Sequence, residues 1–234
     1  MVNCNQITSD PAWYCAAIVI QFLEPLQSYV KSIWNPPADG HSGFSCIAKA
    51  LAFTDTSYNR SFSWKRVRQE CLHLLKQHRV FFETIWHGSD WVNKEFSRLS
   101  PHSVNGEGIV WQKGNWLSKL DTGPILANKY HRPIVFLSPG GDSNTIFPNW
   151  LPPPSQQASS QEPIVLGFVN GCHYIHIQLA PDEKGLFPMS PPLPGWEKTK
   201  QTALEVRRHY NSLYDKHFHC WNSLKKQHKD SWSL

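Results

Sequence analysis

The chain has 234 residues and a formal net charge of +5, and its composition is that of a globular protein. Its length predicts one domain over residues 1–234. From Glu197 to Leu234 we count eight Lys or Arg against four Asp or Glu, so this segment supplies +4 of the net charge. The remainder is close to neutral, which argues against nucleic acid as a partner.

Cysteine usage and the first apolar run indicate the compartment. Six cysteines are scattered without a C-x-x-C pair, which predicts reduced thiols. The run from Ala16 to Leu23 is interrupted by Gln21, is too short to span a bilayer and follows no basic segment. We therefore expect an intracellular protein, cytoplasmic or nuclear, with no secretion signal and no membrane partner.

Helical patterns dominate the first hundred residues. Residues 10–34 predict a helix that Pro25 bends or splits. A second helix is predicted to begin at Ser42, with its apolar face formed by Phe44, Ile47, Ala48 and Leu51. A third helical region, about 63–99, is broken near Gly88 and predicts an arm of two helices.

Strand patterns appear in the second half. A short helix should lead into a buried strand, Ile134 to Leu137. The stretch 162–180 predicts a hairpin around Asn170-Gly171, a dipeptide that suits the positive φ angles of a type I′ turn. Its period-two alternation puts His173 on an apolar face. An amphipathic helix should close the core, with its apolar face formed by Ala203, Val206, Tyr210, Leu213, His217, Trp221 and Leu224.

A possible nucleophile position lies at the start of the second helix, in Asp39-Gly40-His41-Ser42-Gly43-Phe44. The motif begins like the G-x-S-x-G elbow of serine hydrolases, but Phe44 stands where the elbow needs glycine. A helix N-terminus after a glycine-containing loop is instead the place where a cysteine thiol acquires a lowered pKa. Two simpler interpretations stay open: Ser42 as a helix N-cap and His173 as a buried core histidine.

The same six residues resemble the signature of the ovarian-tumour (OTU) family of cysteine proteases, which runs Asp-Gly-Asn-Cys, a small or apolar residue, then Phe. Serine replaces the cysteine here. Two later stretches are similar to family elements in the same order: "ILANKYHRPIVFL" at 125–137, and His173-Tyr174-Ile175. The resemblance covers about residues 34–180, with helical extensions on either side.

The resemblance implies an α+β, papain-like fold in which a small mixed β-sheet is packed between helices. It places Ser42 at the nucleophile position, His173 as general base and Asp39 as the third catalytic member. Many members orient the histidine with an Asp or Asn two residues after it, where this chain has Ile175, so Asn170 and His176 are alternatives. The expected substrate-binding residues are Gly40, His41, Gly43 and Tyr174: backbone N–H groups of 40–42 would face the oxyanion, and Tyr174 would wall the channel. No metal and no cofactor are expected.

The implied function is hydrolysis of peptide or isopeptide bonds at the C-terminus of ubiquitin. The partner would be ubiquitin, polyubiquitin chains or a ubiquitin-like modifier, gripped by the helical arm 63–99. With serine at position 42 the chain should be inactive, because a hydroxyl ionises far less readily than a thiol of pKa about 8.5. The serine would be either an engineered Cys-to-Ser change or natural, which would make the chain a catalytically dead ubiquitin-binding module. A serine hydrolase is the third interpretation.

Overall fold

The structure of the protein is a computed structural model. A five-stranded mixed sheet lies at its centre. The strands are β1 Val30–Trp34, β2 Ile134–Leu137, β3 Asn144–Ile146, β4 Ile164–Val169 and β5 His173–Leu179. Their order is β1-β5-β4-β2-β3, with β2 and β4 parallel and the other neighbours antiparallel. The structure describes residues 24–52, 64–86, 88–100, 113–139, 142–156, 162–194, 196 and 203–227.

Helices cover both faces of this sheet. They are α1 Glu24–Gln27, α2 Ser42–Ala52, α3 Trp64–Gln77, α4 Arg79–Ile85, α5 Ser89–Leu99, α6 Thr122–Tyr130 and α7 Leu204–Gln227, with short 3-10 turns at Lys113–Asn115 and Pro154–Gln156. The predicted start of α2 at Ser42 is confirmed. The arm has three helical segments rather than two, because the chain also leaves helical geometry at His78, where φ is −118° and ψ is 33°.

The helix predicted over residues 10–34 is wrong at its C-terminal end. Residues 10–23 lie outside the described residues, and the chain is helical only at Glu24–Gln27 before it becomes strand β1. Strand β1 pairs with β5, with Ile33 opposite Ile177 and Trp34 opposite His176. The free energy of this long-range pairing outweighs the local helical pattern, which is a weak determinant by itself.

The predicted hairpin is confirmed as β4 and β5. Asn170 and Gly171 have φ angles of 54° and 67°, and the Cys172 N–H donates to the Val169 carbonyl at 3.2 Å. Positive φ at two successive positions is strained for most side chains, and Asn-Gly is the dipeptide that tolerates it best. The turn makes His173 the first residue of β5.

Strand β5 is buried on both faces, which differs from the predicted single apolar face. Tyr174 belongs to the core shared with α2 and the arm helices. Ile175 and Ile177 belong to a second core on the other face. Helix α7 closes that second core, as predicted, with Val206, Tyr210 and Trp221. The predicted face is wrong at Ala203, which is exposed, and it missed Tyr214, which is buried in this core. A central strand covered on both sides therefore carries His173.

Two predictions concern the absence of a membrane-spanning helix and the redox state of the cysteines. Within the described residues, no helix combines the length and the apolar character needed to cross a bilayer. Cys46, Cys71 and Cys220 are free thiols. Cys172 is disulfide-bonded, so the expectation that every thiol is reduced is wrong at that position.

Gly43 allows α2 to pack closely on the core. A Cβ added to Gly43 would lie 2.7 Å from Leu117 Cβ and 3.0 Å from Tyr174 Cδ2, both inside normal contact distance. These atoms are close to the backbone of their own residues, so the clash cannot be relieved by turning a side-chain tip. The glycine thus fixes the distance between the N-terminus of α2 and strand β5.

We expect Gly43→Ala to lower the free energy of unfolding by about 1–3 kcal/mol, the usual cost of overpacking a core. Gly114→Ala is the matched control, because a Cβ there meets nothing within 4 Å. That control should change stability by less than about 0.5 kcal/mol. Urea unfolding followed by far-UV circular dichroism measures both, and equal effects of the two substitutions would contradict the packing argument.

Candidate active site

Ser42 lies at the N-terminus of α2, in contact with the backbone that follows His173. It is buried, with 7% of its surface exposed. Its Oγ accepts a hydrogen bond from the Tyr174 N–H at 3.2 Å. The structure therefore brings the predicted nucleophile position beside the predicted base, although 130 residues separate them in the chain.

His173 is held by Asn35. The distance from His173 Nε2 to Asn35 Oδ1 is 2.7 Å. Asn35 is the residue directly after β1, and the antiparallel register of β1 with β5 carries it to the start of β5. No sequence pattern singled out Asn35 in advance. A correct prediction of strand β1 is the signal that could have found it.

The hydrogen bond to Asn35 determines which nitrogen of His173 is basic. An amide oxygen can only accept, so Nε2 carries the proton and Nδ1 has the free lone pair. Burial lowers the pKa of His173 to about 4, because the charged imidazolium loses its hydration. The ring is therefore neutral at pH 7, in the tautomer and charge state that a general base needs.

Asp39 makes its hydrogen bond within the loop before Ser42, whereas the partner of the His173 ring is Asn35. Asp39 Oδ1 accepts from the His41 N–H at 2.9 Å, a local bond typical of an Asp ahead of a helix. Gly40 between them has φ of 84°, in the left-handed region that favours glycine. The His41 N–H, one of the three predicted oxyanion donors, is therefore engaged inside the loop.

The other predicted site residues lie in the core. The His41 side chain is 3% exposed and stacks on Trp64, with ring centroids 3.5 Å apart. Tyr174 packs edge-on and tilted against Phe136 and Phe168, and burial raises its pKa. The role of Tyr174 in a substrate channel stays a prediction, since 8% of its surface is exposed. Their place in the structure indicates a role in supporting the nucleophile loop.

The alternatives for orienting His173 lie elsewhere. Asn170 is exposed at the tip of the hairpin turn. His176 is buried, and burial lowers its pKa to about 4, with Lys49 and Arg132 adding to the effect. It lies opposite Trp34 of β1. Among the described residues, no group of three or more His, Cys, Asp or Glu side chains is arranged to hold a metal ion.

The similarity of this chain to known proteins is distant. No protein-family model matches the chain, and no curated protein matches it. Among solved structures, an OTU deubiquitinase from Wolbachia pipientis wMel is similar with a TM-score of 0.42 and 11% sequence identity. The similarity covers 78% of this chain and 99% of that one.

The buried histidines should make the stability depend on pH. Burial lowers the pKa values of His41, His173 and His176 to about 4, so they stay neutral in the folded chain and take up protons on unfolding below pH 6.5. Burial raises the pKa of Glu95 to about 7, which acts in the opposite direction. Burial also lowers the pKa values of three further histidines, His131, His209 and His217. We therefore expect a net uptake of at least about two protons on unfolding, and stability that falls as pH drops from 6.5 toward 4.

Urea unfolding at pH 7.5, 6.5, 5.5 and 4.5 measures this dependence. His176→Gln should reduce the pH slope by about one proton, and the exposed His73→Gln should leave it unchanged. A stability that is flat between pH 7 and 5 would show that the buried rings are hydrated or paired in solution.

Proposed function

We propose that the chain carries a papain-like, OTU-type hydrolase site with serine at the nucleophile position, and that its substrate is the C-terminus of ubiquitin. The observation that carries the proposal is the hydrogen bond from His173 Nε2 to Asn35 Oδ1, 2.7 Å long, beside the Ser42 hydroxyl at a helix N-terminus. A nucleophile, a histidine base and an amide that orients the base form the Cys-His-Asn arrangement of papain-like proteases. The sequence resemblance to the OTU signature adds the expected substrate.

With cysteine at position 42 the arrangement performs acyl transfer. His173 Nδ1 first takes the proton of the thiol at position 42. The resulting thiolate attacks the carbonyl carbon of the amide after the last glycine of ubiquitin, and the backbone N–H groups of Gly40 and residue 42 stabilise the oxyanion. His173 Nδ1 gives its proton to the departing lysine amine, and a thioester remains. His173 then takes a proton from water, which attacks the thioester and releases the ubiquitin carboxylate and the thiolate.

Serine at this position should hold the site in an inactive form. The hydroxyl ionises far less readily than a thiol, so the nucleophile–imidazolium pair cannot form. The Ser42 oxygen also accepts from the Tyr174 N–H, so a hydroxyl at this buried position has a hydrogen-bond partner. The protein with Ser42 would bind ubiquitin without cleaving it. This hydroxyl contact is the observation that favours the second candidate, a natural ubiquitin-binding module without activity.

The arm helices α3 to α5 are the face proposed to contact ubiquitin. Val80 on α4 is 76% exposed and Trp91 on α5 is 48% exposed, and Lys94 lies 4.8 Å from the Trp91 ring centroid. Exposed large apolar side chains of this kind are common where a protein surface binds a partner. They give the proposed binding face an apolar character with a basic neighbour.

We expect the Ser42→Cys variant to cleave a fluorogenic ubiquitin C-terminal amide. The protein with serine at position 42 should be inactive. Adding His173→Ala to Ser42→Cys should lower kcat/KM by at least roughly a hundredfold, because the general acid-base group is lost. A ubiquitin carrying a C-terminal alkyne probe should label Ser42→Cys and not the original chain.

The same experiment separates the two candidates. If Ser42→Cys is folded and inactive on the amide and on polyubiquitin chains, while the original chain binds ubiquitin by nuclear magnetic resonance titration, the binding module is correct. If the chain neither binds nor cleaves, both ubiquitin proposals fail. Labelling of the original chain by a fluorophosphonate probe would instead support a serine hydrolase.

Asn35→Ala in the Ser42→Cys background should lower kcat by roughly 10- to 100-fold with little change in KM. The amide orients the ring and does not touch substrate, so its loss misplaces the base by a rotation of the imidazole. Asn222→Ala, at an exposed position of α7, is the matched control and should leave kcat unchanged. A loss of the same size from Asp39→Asn alone, with Asn35→Ala silent, would return the orienting role to Asp39.

A further inference from the structure

Arg68 on α3 contacts the residues on both sides of Ser42 without being part of the predicted signature. It is 2% exposed. Its guanidinium carbon lies 3.9 Å from the centroid of the Phe44 ring, and its Nη2 lies 3.1 Å from His41 Nδ1. One guanidinium group therefore contacts residues on both sides of position 42.

The contact with His41 fixes the tautomer of that ring. A guanidinium can only donate, so His41 Nδ1 accepts and the ring proton lies on Nε2. Burial and the charges of Arg68 and Lys65 lower the pKa of His41 to about 4, which keeps the ring neutral. The ring is clamped between Arg68 and the Trp64 ring stacked on it. The hydrogen bond to Arg68 and the stacking on Trp64 together hold the loop before Ser42.

Arg68 also joins the loop to two further segments. It donates to the Asn115 carbonyl at 2.7 Å and to the Arg98 carbonyl at the end of α5. Asn115 leads to Leu117, which packs against Gly43. One buried side chain thus connects the arm, the 113–117 segment and both sides of the nucleophile position.

The charge of Arg68 is not neutralised by a direct ion pair among the described residues. The nearby carboxylates Glu95 and Asp121 pair with Arg98 instead. Arg68 uses its N–H groups on two carbonyls and one imidazole, which carry no charge. The charged groups that act on it through space are Glu95, Arg98 and Asp39. In a buried setting an unpaired positive charge acts strongly on a neighbouring anion.

We propose that Arg68 is a positioning residue of the active site, which holds the nucleophile loop through His41 and Phe44 and stabilises an anion at position 42. The inference rests on the proposed function, because it assigns position 42 to a nucleophile. The positive charge would add to the field of the α2 N-terminus and favour the thiolate form of a cysteine there. A purely structural role, by contrast, would alter stability and leave the reactivity of a thiol at position 42 unchanged.

The test measures how fast iodoacetamide alkylates the thiol introduced by Ser42→Cys, at pH 7, with the modified peptide quantified by mass spectrometry. Adding Arg68→Met should slow this alkylation about tenfold, which corresponds to a thiol pKa raised by about one unit. Adding Arg68→Lys, which keeps the charge, should leave the rate within about threefold. In the ubiquitin amide assay Arg68→Met should lower kcat and leave KM unchanged.

Arg66→Met is the matched control, since Arg66 lies on the same helix and pairs with Glu70 near the surface. It should leave the alkylation rate unchanged. If Arg68→Met fails to fold by circular dichroism, Arg68→Gln, which keeps N–H donors and loses the charge, makes the same comparison. If only Arg68→Lys folds, a tenfold slower alkylation in that variant overturns the charge argument.

Alkylation needs no ubiquitin, so its outcome is independent of whether Ser42→Cys cleaves ubiquitin. Slower alkylation with no cleavage would support the role of Arg68 and reject the proposed substrate. An alkylation rate that is unchanged in folded Arg68→Met would overturn the inference, even if the melting temperature falls.

Discussion

The pairing of β1 with β5 is the interaction on which the site depends. Strand β5 runs between β1 and β4 and is buried on both faces, so its position is fixed by hydrogen bonds at its edges and by packing above and below. His173 opens this strand, and Asn35 follows the end of its antiparallel neighbour. The 2.7 Å contact between them is a consequence of strand register, which a one-residue slip would abolish.

Helix α2 is placed against this strand by close packing at its first turn. Gly43 leaves no room for a side chain between Leu117 and Tyr174, and the Tyr174 N–H reaches the Ser42 hydroxyl as a result. The nucleophile position and the base are thus brought together by a glycine and a backbone hydrogen bond. Neither contact involves a charge, which keeps the cost of burying the site low.

The candidate site has neutral polar groups beside Ser42 and His173, and its buried positive charge lies further away, on Arg68. Asn35 orients His173 without adding a carboxylate, and both His173 and His41 are neutral because burial lowers the pKa values of these rings. The buried positive charge of Arg68 lies behind the loop, where it contacts His41 and Phe44. If Arg68 acts as proposed, this arrangement favours an anion at position 42 while the uncharged resting state stays compatible with burial.

The sequence by itself determined the elements whose signals are local: the start of α2 at Ser42, the turn at Asn170-Gly171, the buried strand at 134–137 and the helix α7 that covers the second core. These depend on residues a few positions apart, so spacing and φ preferences suffice. Only the tertiary structure decided that Val30–Trp34 is a strand, that Asn35 hydrogen-bonds His173 and that Arg68 hydrogen-bonds His41. Each of these depends on partners 27 to 149 residues away, whose pairing free energy no local pattern contains.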